Sequence, residues 1–185
     1  LGSVDVIATD KTGTLTQNEM TVTDILTPKA QYAVTGTGYA PAGEFTLDQE
    51  VITPAEHSDL AALLTAGYEA NDTTLAEIDG KYEINGEPTD GAFITAYQKA
   101  FGEPEEADEI DLMPFDSDYR YMAKLVRLAD GTKKLYIKGS PDKLLPMAKA
   151  CDPNFDEAHY LAWTSERSKH GQRVIAVGSR VVNVD

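Results

Sequence analysis

The sequence predicts an α+β domain, in which an antiparallel sheet is flanked by helices, with one further strand ahead of it. Residues 120–128 and 133–138 alternate between apolar and polar positions, and Asp130 and Gly131 between them favour a tight hairpin turn. Segments with helical spacing lie between the predicted strands, as in α+β folds. The short apolar run at residues 4–9 predicts a buried strand that ends at Asp10. A reactive Asp at the end of a buried strand is typical of an open α/β fold, so we expect this strand to lie outside the antiparallel sheet.

Four helices are expected from their start and stop signals. Residues 53–56 (TPAE) combine a Thr cap, Pro at the first position and Glu three residues after the cap, followed by leucines at helical spacing. A second helix is expected over residues 89–101, closed by Gly102. A third begins at Ser140-Pro141, where Pro146 should shorten or kink it, and a fourth covers about 156–170.

The remaining segments predict strands and loops. The stretch after Asp10, through Met20 and Val22 to Ala33, is expected to hold one or two short strands, and the glycines and proline of residues 36–43 mark a loop. Residues 173–180 (RVIAVGSR) predict a last strand. The acidic stretch over residues 103–111 is interpreted as a solvated loop.

Length and charge exclude several classes of protein. The 185 residues suffice for one domain with a core, and no apolar run approaches the roughly 20 residues needed to cross a bilayer. We therefore expect a water-soluble unit, with no signal peptide. A net charge of −15 argues against nucleic-acid binding. Cys151 is the only cysteine, so an intrachain disulfide is impossible, which suits a reducing compartment.

Chemistry is expected first at residues 10–16 (DKTGTLT), directly after the leading strand. Asp10 would be exposed at the strand end as a nucleophile toward a phosphoryl group, which would give an aspartyl-phosphate. Lys11 and a Mg²⁺ ion would neutralise the charge that builds up during transfer. Phosphatases with a similar loop usually carry a second Asp where Thr12 stands. Because Thr is a poor general acid or base at neutral pH, the phosphorylated intermediate should persist.

This seven-residue string, with LGS before the strand and QNEMT after the loop, resembles the hallmark of P-type ATPases, most closely the type II cation pumps. The resemblance implies a phosphorylation domain of the haloacid-dehalogenase-like class, in which Asp10 and Thr12 bind Mg²⁺. It also implies that a nucleotide-binding domain follows directly. We therefore expect residues 1–22 to form the leading strand, loop and hinge of the phosphorylation domain, and residues 23–185 to form the nucleotide-binding domain.

Two further segments resemble the family's ATP-binding signatures, although each alone also fits a plain structural role. Residues 86–92 (GEPTDGA) place Asp90 where the family has an acidic residue that bonds the adenine amino group. Asp90 is one methylene shorter than the usual Glu. Residues 114–122 (PFDSDYRYM) place Phe115 where an aromatic ring stacks on adenine, and Arg120 where a cation approaches the nucleotide.

The last two signatures follow in the family's order. Residues 138–142 (KGSPD) place Lys138 at the mouth of the ATP pocket, with Gly139 allowing close approach of the ligand. Residues 171–176 (GQRVIA) place Arg173 where an Arg reaches the ATP phosphates. The joint occurrence of four signatures after the hallmark favours the resemblance over chance.

The resemblance implies that ATP and Mg²⁺ are the ligands and that the remainder of the same pump is the partner. The expected function is that of the cytoplasmic ATP-binding domain of an integral, plasma-membrane cation-transporting ATPase, with calcium the best single choice of ion. This piece alone is expected to bind ATP without appreciable hydrolysis. Two alternatives stay open: a small aspartate-dependent phosphatase with a cap domain, and an acidic protein-interaction module.

Overall fold

A computed structural model describes the backbone of residues 3–10 and the whole of residues 19–105 and 107–183. The strands, in chain order, are β1 (Ser3–Asp10), β2 (Val22–Leu26), β3 (Gln31–Val34), β4 (Phe45–Leu47), β5 (Glu50–Ile52), β6 (Thr74–Ile78), β7 (Lys81–Asn85), β8 (Asp108–Asp116), β9 (Tyr121–Arg127), β10 (Lys133–Gly139) and β11 (Gln172–Val182). The helices are α1 (Ser58–Glu69), α2 (Pro88–Phe101), α3 (Pro141–Cys151) and α4 (Glu157–Lys169).

The strands of the described chain form one large antiparallel sheet and one separate hairpin. The order in the large sheet is β5-β4-β3-β2-β1-β11-β10-β9-β8, and β6 pairs only with β7. The predicted hairpin of β9 and β10 is present, with Lys133 opposite Arg127 and Gly139 opposite Tyr121. The predicted α+β class is therefore confirmed.

The leading strand differs from its prediction. β1 lies inside the sheet, antiparallel to β2 on one side and to β11 on the other. A strand must pair its backbone N–H and C=O groups, and β2 and β11 supply these partners on both sides. The expectation that β1 stands apart from the antiparallel sheet is wrong for this structure. The boundary at residue 22 stays a prediction.

Helices cover both faces of the sheet. The side chains of β11 alternate between the two faces and contribute to a core on each. Val177 belongs to the core beneath α1 and α2, whereas Val174 and Ala176 belong to the core beneath α3 and α4. The first core includes the fully buried Leu60 and Leu63 of α1. α1 and α2 thereby cover the face of the sheet on which the functional residues predicted on β10 and β11 lie.

Most predicted element boundaries agree with the structure. α2 ends at Gly102, whose φ of 75° is in the region that favours glycine. α4 begins after Asp156, whose side chain accepts a hydrogen bond from the amide of His159. α3 continues through Pro146 to Cys151, so the expected shortening is wrong.

Other elements differ from, or are missing from, the prediction. The TPAE segment forms only one 3₁₀ turn over Pro54–Glu56, and α1 begins after His57. The short strands β4 and β5 and the β6–β7 hairpin were not predicted. Residues 108–111, expected to be in a loop, begin strand β8.

The packing of α1 against α2 supports a prediction about Gly67. A Cβ atom at this position would lie 2.3 Å from Cδ1 of Phe93. Gly67→Ala should therefore lower the free energy of unfolding by about 1–2 kcal/mol, because the clash outweighs the gain of about 1 kcal/mol in helix propensity. Urea denaturation measures the change. In a Phe93→Leu background the same substitution should be neutral or stabilising, and an equal loss there would contradict the proposed clash.

Candidate functional site

A cavity of about 510 Å³ lies on the α1–α2 face of the sheet, where the N-terminus of α2 approaches β10 and β11. It includes five of the six residues that the sequence signatures predict to bind the nucleotide: Asp90, Phe115, Lys138, Gly139 and Arg173. The other lining residues are Asp72, Glu87, Thr89, Pro114, Met122 and Ile175. Volumes of roughly 300–1,000 Å³ are usual for small-molecule sites.

A buried ion pair between Lys138 and Asp90 lies in this cavity. The Nζ atom of Lys138 is 2.5 Å from Oδ1 of Asp90, and the two side chains are 5% and 12% exposed. Burial lowers the pKa of Lys138, while the carboxylates of Asp90 and Asp72 act in the opposite direction. The ammonium also lies 5.0 Å from the ring centroid of Phe93, a cation–π distance. The pair presents a hydrogen-bond donor and an acceptor side by side in a largely dry site.

Phe115 is a large apolar residue exposed at the cavity. It follows Pro114 in the sequence, near the end of β8, and is 62% exposed. A large apolar side chain left in water at the edge of a cavity is available for stacking against a flat ligand.

Arg173 supplies a second cation at the cavity, from the start of β11. Its Nη1 atom donates a hydrogen bond of 3.2 Å to Oγ1 of Thr89, in the first turn of α2. Arg173 and Lys138 therefore both contact the N-terminal turn of α2, where unpaired amides favour anionic groups.

Gly139 lines the cavity, but the need for glycine there comes from the neighbouring strand. A Cβ atom at this position would lie 2.5 Å from the carbonyl oxygen of Arg120 and 2.5 Å from Cβ of Tyr121. A glycine is therefore needed at this position because the neighbouring chain at residues 120–121 approaches it closely. That Gly139 also leaves room for a ligand stays a prediction.

Arg120 is not among the residues that line the cavity. The chain turns between Asp116 and Tyr121, and Arg120 adopts a left-handed φ of 61°. Its guanidinium forms an ion pair with Asp142 at the start of α3. The prediction for Arg120 came from resemblance to the family's Phe-led segment, and in the structure a turn separates Arg120 from Phe115. Its contact with a nucleotide stays a prediction.

The predicted catalytic residues are only partly described. The backbone of Asp10 ends β1 and is paired with Gln172, which directly precedes Arg173. Lys11 and Thr12 lie outside the described residues. The predicted roles of Asp10, Lys11 and Thr12 in phosphoryl transfer and Mg²⁺ binding therefore stay predictions.

Some lining residues were missed although the sequence contains a signal for them. Met122 is the cross-strand partner of Lys138, and Ile175 lies two residues after Arg173 on the same face of β11. Strand alternation could have identified both. Asp72 follows the end of α1 in an irregular segment, and no periodicity marks it.

Neither a metal-binding cluster nor a membrane-spanning helix is present among the described residues. They contain no cluster of three or more His, Cys, Asp or Glu side chains arranged to hold a metal ion. None of the helices within them has the length and apolar character needed to cross a bilayer.

Comparison with known proteins identifies the class of domain. Residues 59–184 match the family model described as "P-type ATPase, cytoplasmic domain N", so the chain belongs to this family. It is 38% identical to a "Calcium-transporting ATPase" of Bacillus subtilis, over 78% of this chain and 17% of that protein. It is 37% identical to the "Probable cation-transporting ATPase F" of Mycobacterium tuberculosis, over 96% of this chain and 21% of that protein. It is 33% identical to the mouse "Calcium-transporting ATPase type 2C member 1", over 100% of this chain and 20% of that protein. The chain thus spans about a fifth of the length of these relatives, and its predicted membership among P-type cation-transporting ATPases is confirmed.

The Lys138–Asp90 pair leads to a stability prediction. Lys138→Met leaves the Asp90 carboxylate largely buried without its cation, which should lower the free energy of unfolding by about 3–5 kcal/mol. Adding Asp90→Asn to this variant removes the uncompensated charge and should restore part of the loss. A double-mutant cycle by urea denaturation measures the coupling, and strictly additive losses would show that the two groups do not interact.

Proposed function

We propose that this chain is the ATP-binding domain of a P-type cation-transporting ATPase and that the cavity beside Lys138 binds the nucleotide. One observation carries the proposal: a buried ammonium–carboxylate pair, an exposed aromatic ring and a second cation line the same cavity, although they come from four separate elements. Stacking, hydrogen bonding to a base edge and contact with phosphate are the three interactions that ATP requires.

The adenine is assigned to the region between Phe115 and the ion pair. The ring of Phe115 offers a flat apolar face to the base, which every nucleobase can use. An ionised carboxylate has about four acceptor positions, so Asp90 can bond Lys138 and still accept from an adenine amino group. Because the side chains of this pair are largely buried, we expect the base to lie deeper in the cavity than the phosphates.

The phosphates are assigned to the Arg173 side. The guanidinium of an Arg suits bidentate contact with phosphate, and the start of α2 adds amide donors. Three carboxylates line the cavity against two cations: Asp72, Glu87 and Asp90 against Lys138 and Arg173. This balance gives the polyanionic triphosphate little net attraction, so stacking should supply most of the affinity, which should be modest.

In the complete pump, the proposed role of this domain is to deliver the γ-phosphate to Asp10, forming the aspartyl-phosphate that drives transport across the plasma membrane. Lys11 and a Mg²⁺ ion held by Asp10 and Thr12 would balance the charge of the transferring group. Calcium is the proposed cation, because relatives from a bacterium and from mouse are named calcium-transporting ATPases.

Stacking on Phe115 is tested by substitution. Phe115→Ala should weaken ATP binding roughly fivefold to a hundredfold, since aromatic stacking on a base is worth about 1–3 kcal/mol. Tyr119→Ala is the matched control, because Tyr119 is 58% exposed but does not line the cavity. Titration followed by amide chemical shifts measures both. Equal affinities of wild type and Phe115→Ala would refute the assignment of the adenine.

Catalysis by this chain alone separates the proposal from the phosphatase alternative. ATP binding without release of phosphate, and without an acid-stable phosphate on Asp10, is the expected result. Turnover of a phosphate ester that is lost on Asp10→Asn would favour the small phosphatase instead.

A further inference from the structure

The segment that follows α1, residues 71–73, contacts the start of α2 although 13 or more residues separate them in sequence. Asn71 and Thr73 are buried, at 6% and 7% exposure, while Asp72 between them lines the cavity. Two buried polar side chains on a connecting segment require hydrogen-bond partners.

Asn71 has both ends of its side-chain amide paired. Its Nδ2 atom donates to the carbonyl oxygen of Asp90 at 3.0 Å, and its Oδ1 atom accepts from the backbone amide of Thr73 at 2.8 Å. The first bond reaches the residue whose carboxylate pairs with Lys138. The second bond fixes the turn that carries Asp72.

Thr73 makes a second contact with the same segment. Its Oγ1 atom accepts a hydrogen bond of 3.2 Å from the amide of Glu87, the residue that precedes α2. Gly86 lies against it so closely that a Cβ atom there would be 2.1 Å from Oγ1, and its φ of 141° also favours glycine. The close approach of the two segments therefore depends on a glycine in one of them and on the Thr73 hydroxyl in the other.

The start of α2 depends on these contacts because it lacks the usual internal cap. The Glu87 side chain makes no capping hydrogen bond to the helix. Asn71 and Thr73 instead hold the residues on either side of Pro88 from outside the helix. A shift of this turn would move the Asp90 carboxylate relative to Lys138.

We propose that Asn71 and Thr73 are positioning residues of the nucleotide site, which hold the first turn of α2 so that Asp90 meets Lys138 and the adenine together. This inference rests on the proposed function. Neither residue is required to touch the nucleotide. Their effect on affinity passes through Asp90, and this distinguishes positioning from a general contribution to stability.

Two substitutions test the proposal. Asn71→Ala removes the donor to Asp90, and Thr73→Val removes the acceptor for Glu87 with little change of shape. Each should weaken ATP binding about threefold to tenfold, as expected for members of one hydrogen-bond network. Tyr32→Phe is the matched control, because it removes a partly buried hydrogen bond to Asp59, and neither residue lines the cavity. It should leave ATP affinity unchanged even where it lowers stability.

The decisive measurement repeats both substitutions in an Asp90→Asn background, by titration with millimolar ATP. Positioning through Asp90 predicts that Asn71→Ala and Thr73→Val then cause no further loss. A loss of the same size in both backgrounds would show that they act by another route and would overturn the inference. Wild-type affinity in both single variants would overturn it while leaving the proposed function intact. Failure of the unmodified chain to bind ATP would overturn both.

Discussion

The ion pair between Lys138 and Asp90 constrains the geometry of the whole candidate site. It joins β10 to the first turn of α2, across 48 residues of sequence. An unpaired ammonium in this position would destabilise the fold, because desolvation of a charge costs several kcal/mol unless a partner compensates for it. α2 must therefore begin where its Asp can reach the strand, and this fixes one wall of the cavity relative to the sheet. The contacts of the segment after α1 serve the same requirement from the other side.

Local signals in the sequence were sufficient for much of this arrangement. The hairpin at Asp130 and Gly131 places β9 beside β10, and alternation along β10 puts Lys138 on the same face as Tyr136, which is the face covered by α1 and α2. Gly102 marks the end of α2 in both sequence and structure. Resemblance to known signatures, rather than periodicity, identified Asp90, Phe115 and Arg173. That these residues line one cavity is a property of the tertiary fold, which no local pattern specifies.

The errors came from long-range effects. β1 was expected outside the sheet because a buried strand that ends at a reactive Asp is typical of an open α/β fold, whereas its backbone groups pair with β2 and β11. Arg120 was assigned by resemblance to the family's Phe-led segment; in the structure its guanidinium pairs with Asp142, and its role toward a nucleotide stays a prediction. Asp72 and Asn71 gave no periodic signal, since their importance depends on a contact with residues far along the chain. Strand partners, turn geometry and distant hydrogen bonds all require the assembled structure.

Strand β8 was not predicted from the sequence, and it is also the strand that carries the exposed ring of Phe115. Its position at an edge of the sheet accounts for its unusual sequence. β8 is the last strand of the large sheet, and it carries acidic residues, Pro114 and two register shifts. Charges, proline and bulges are the features that keep an edge strand from pairing with another chain. The same features make the segment resemble a loop in sequence. Phe115 lies on this edge strand and is exposed beside the cavity, so the strand that was not predicted also carries the ring proposed to stack on the base.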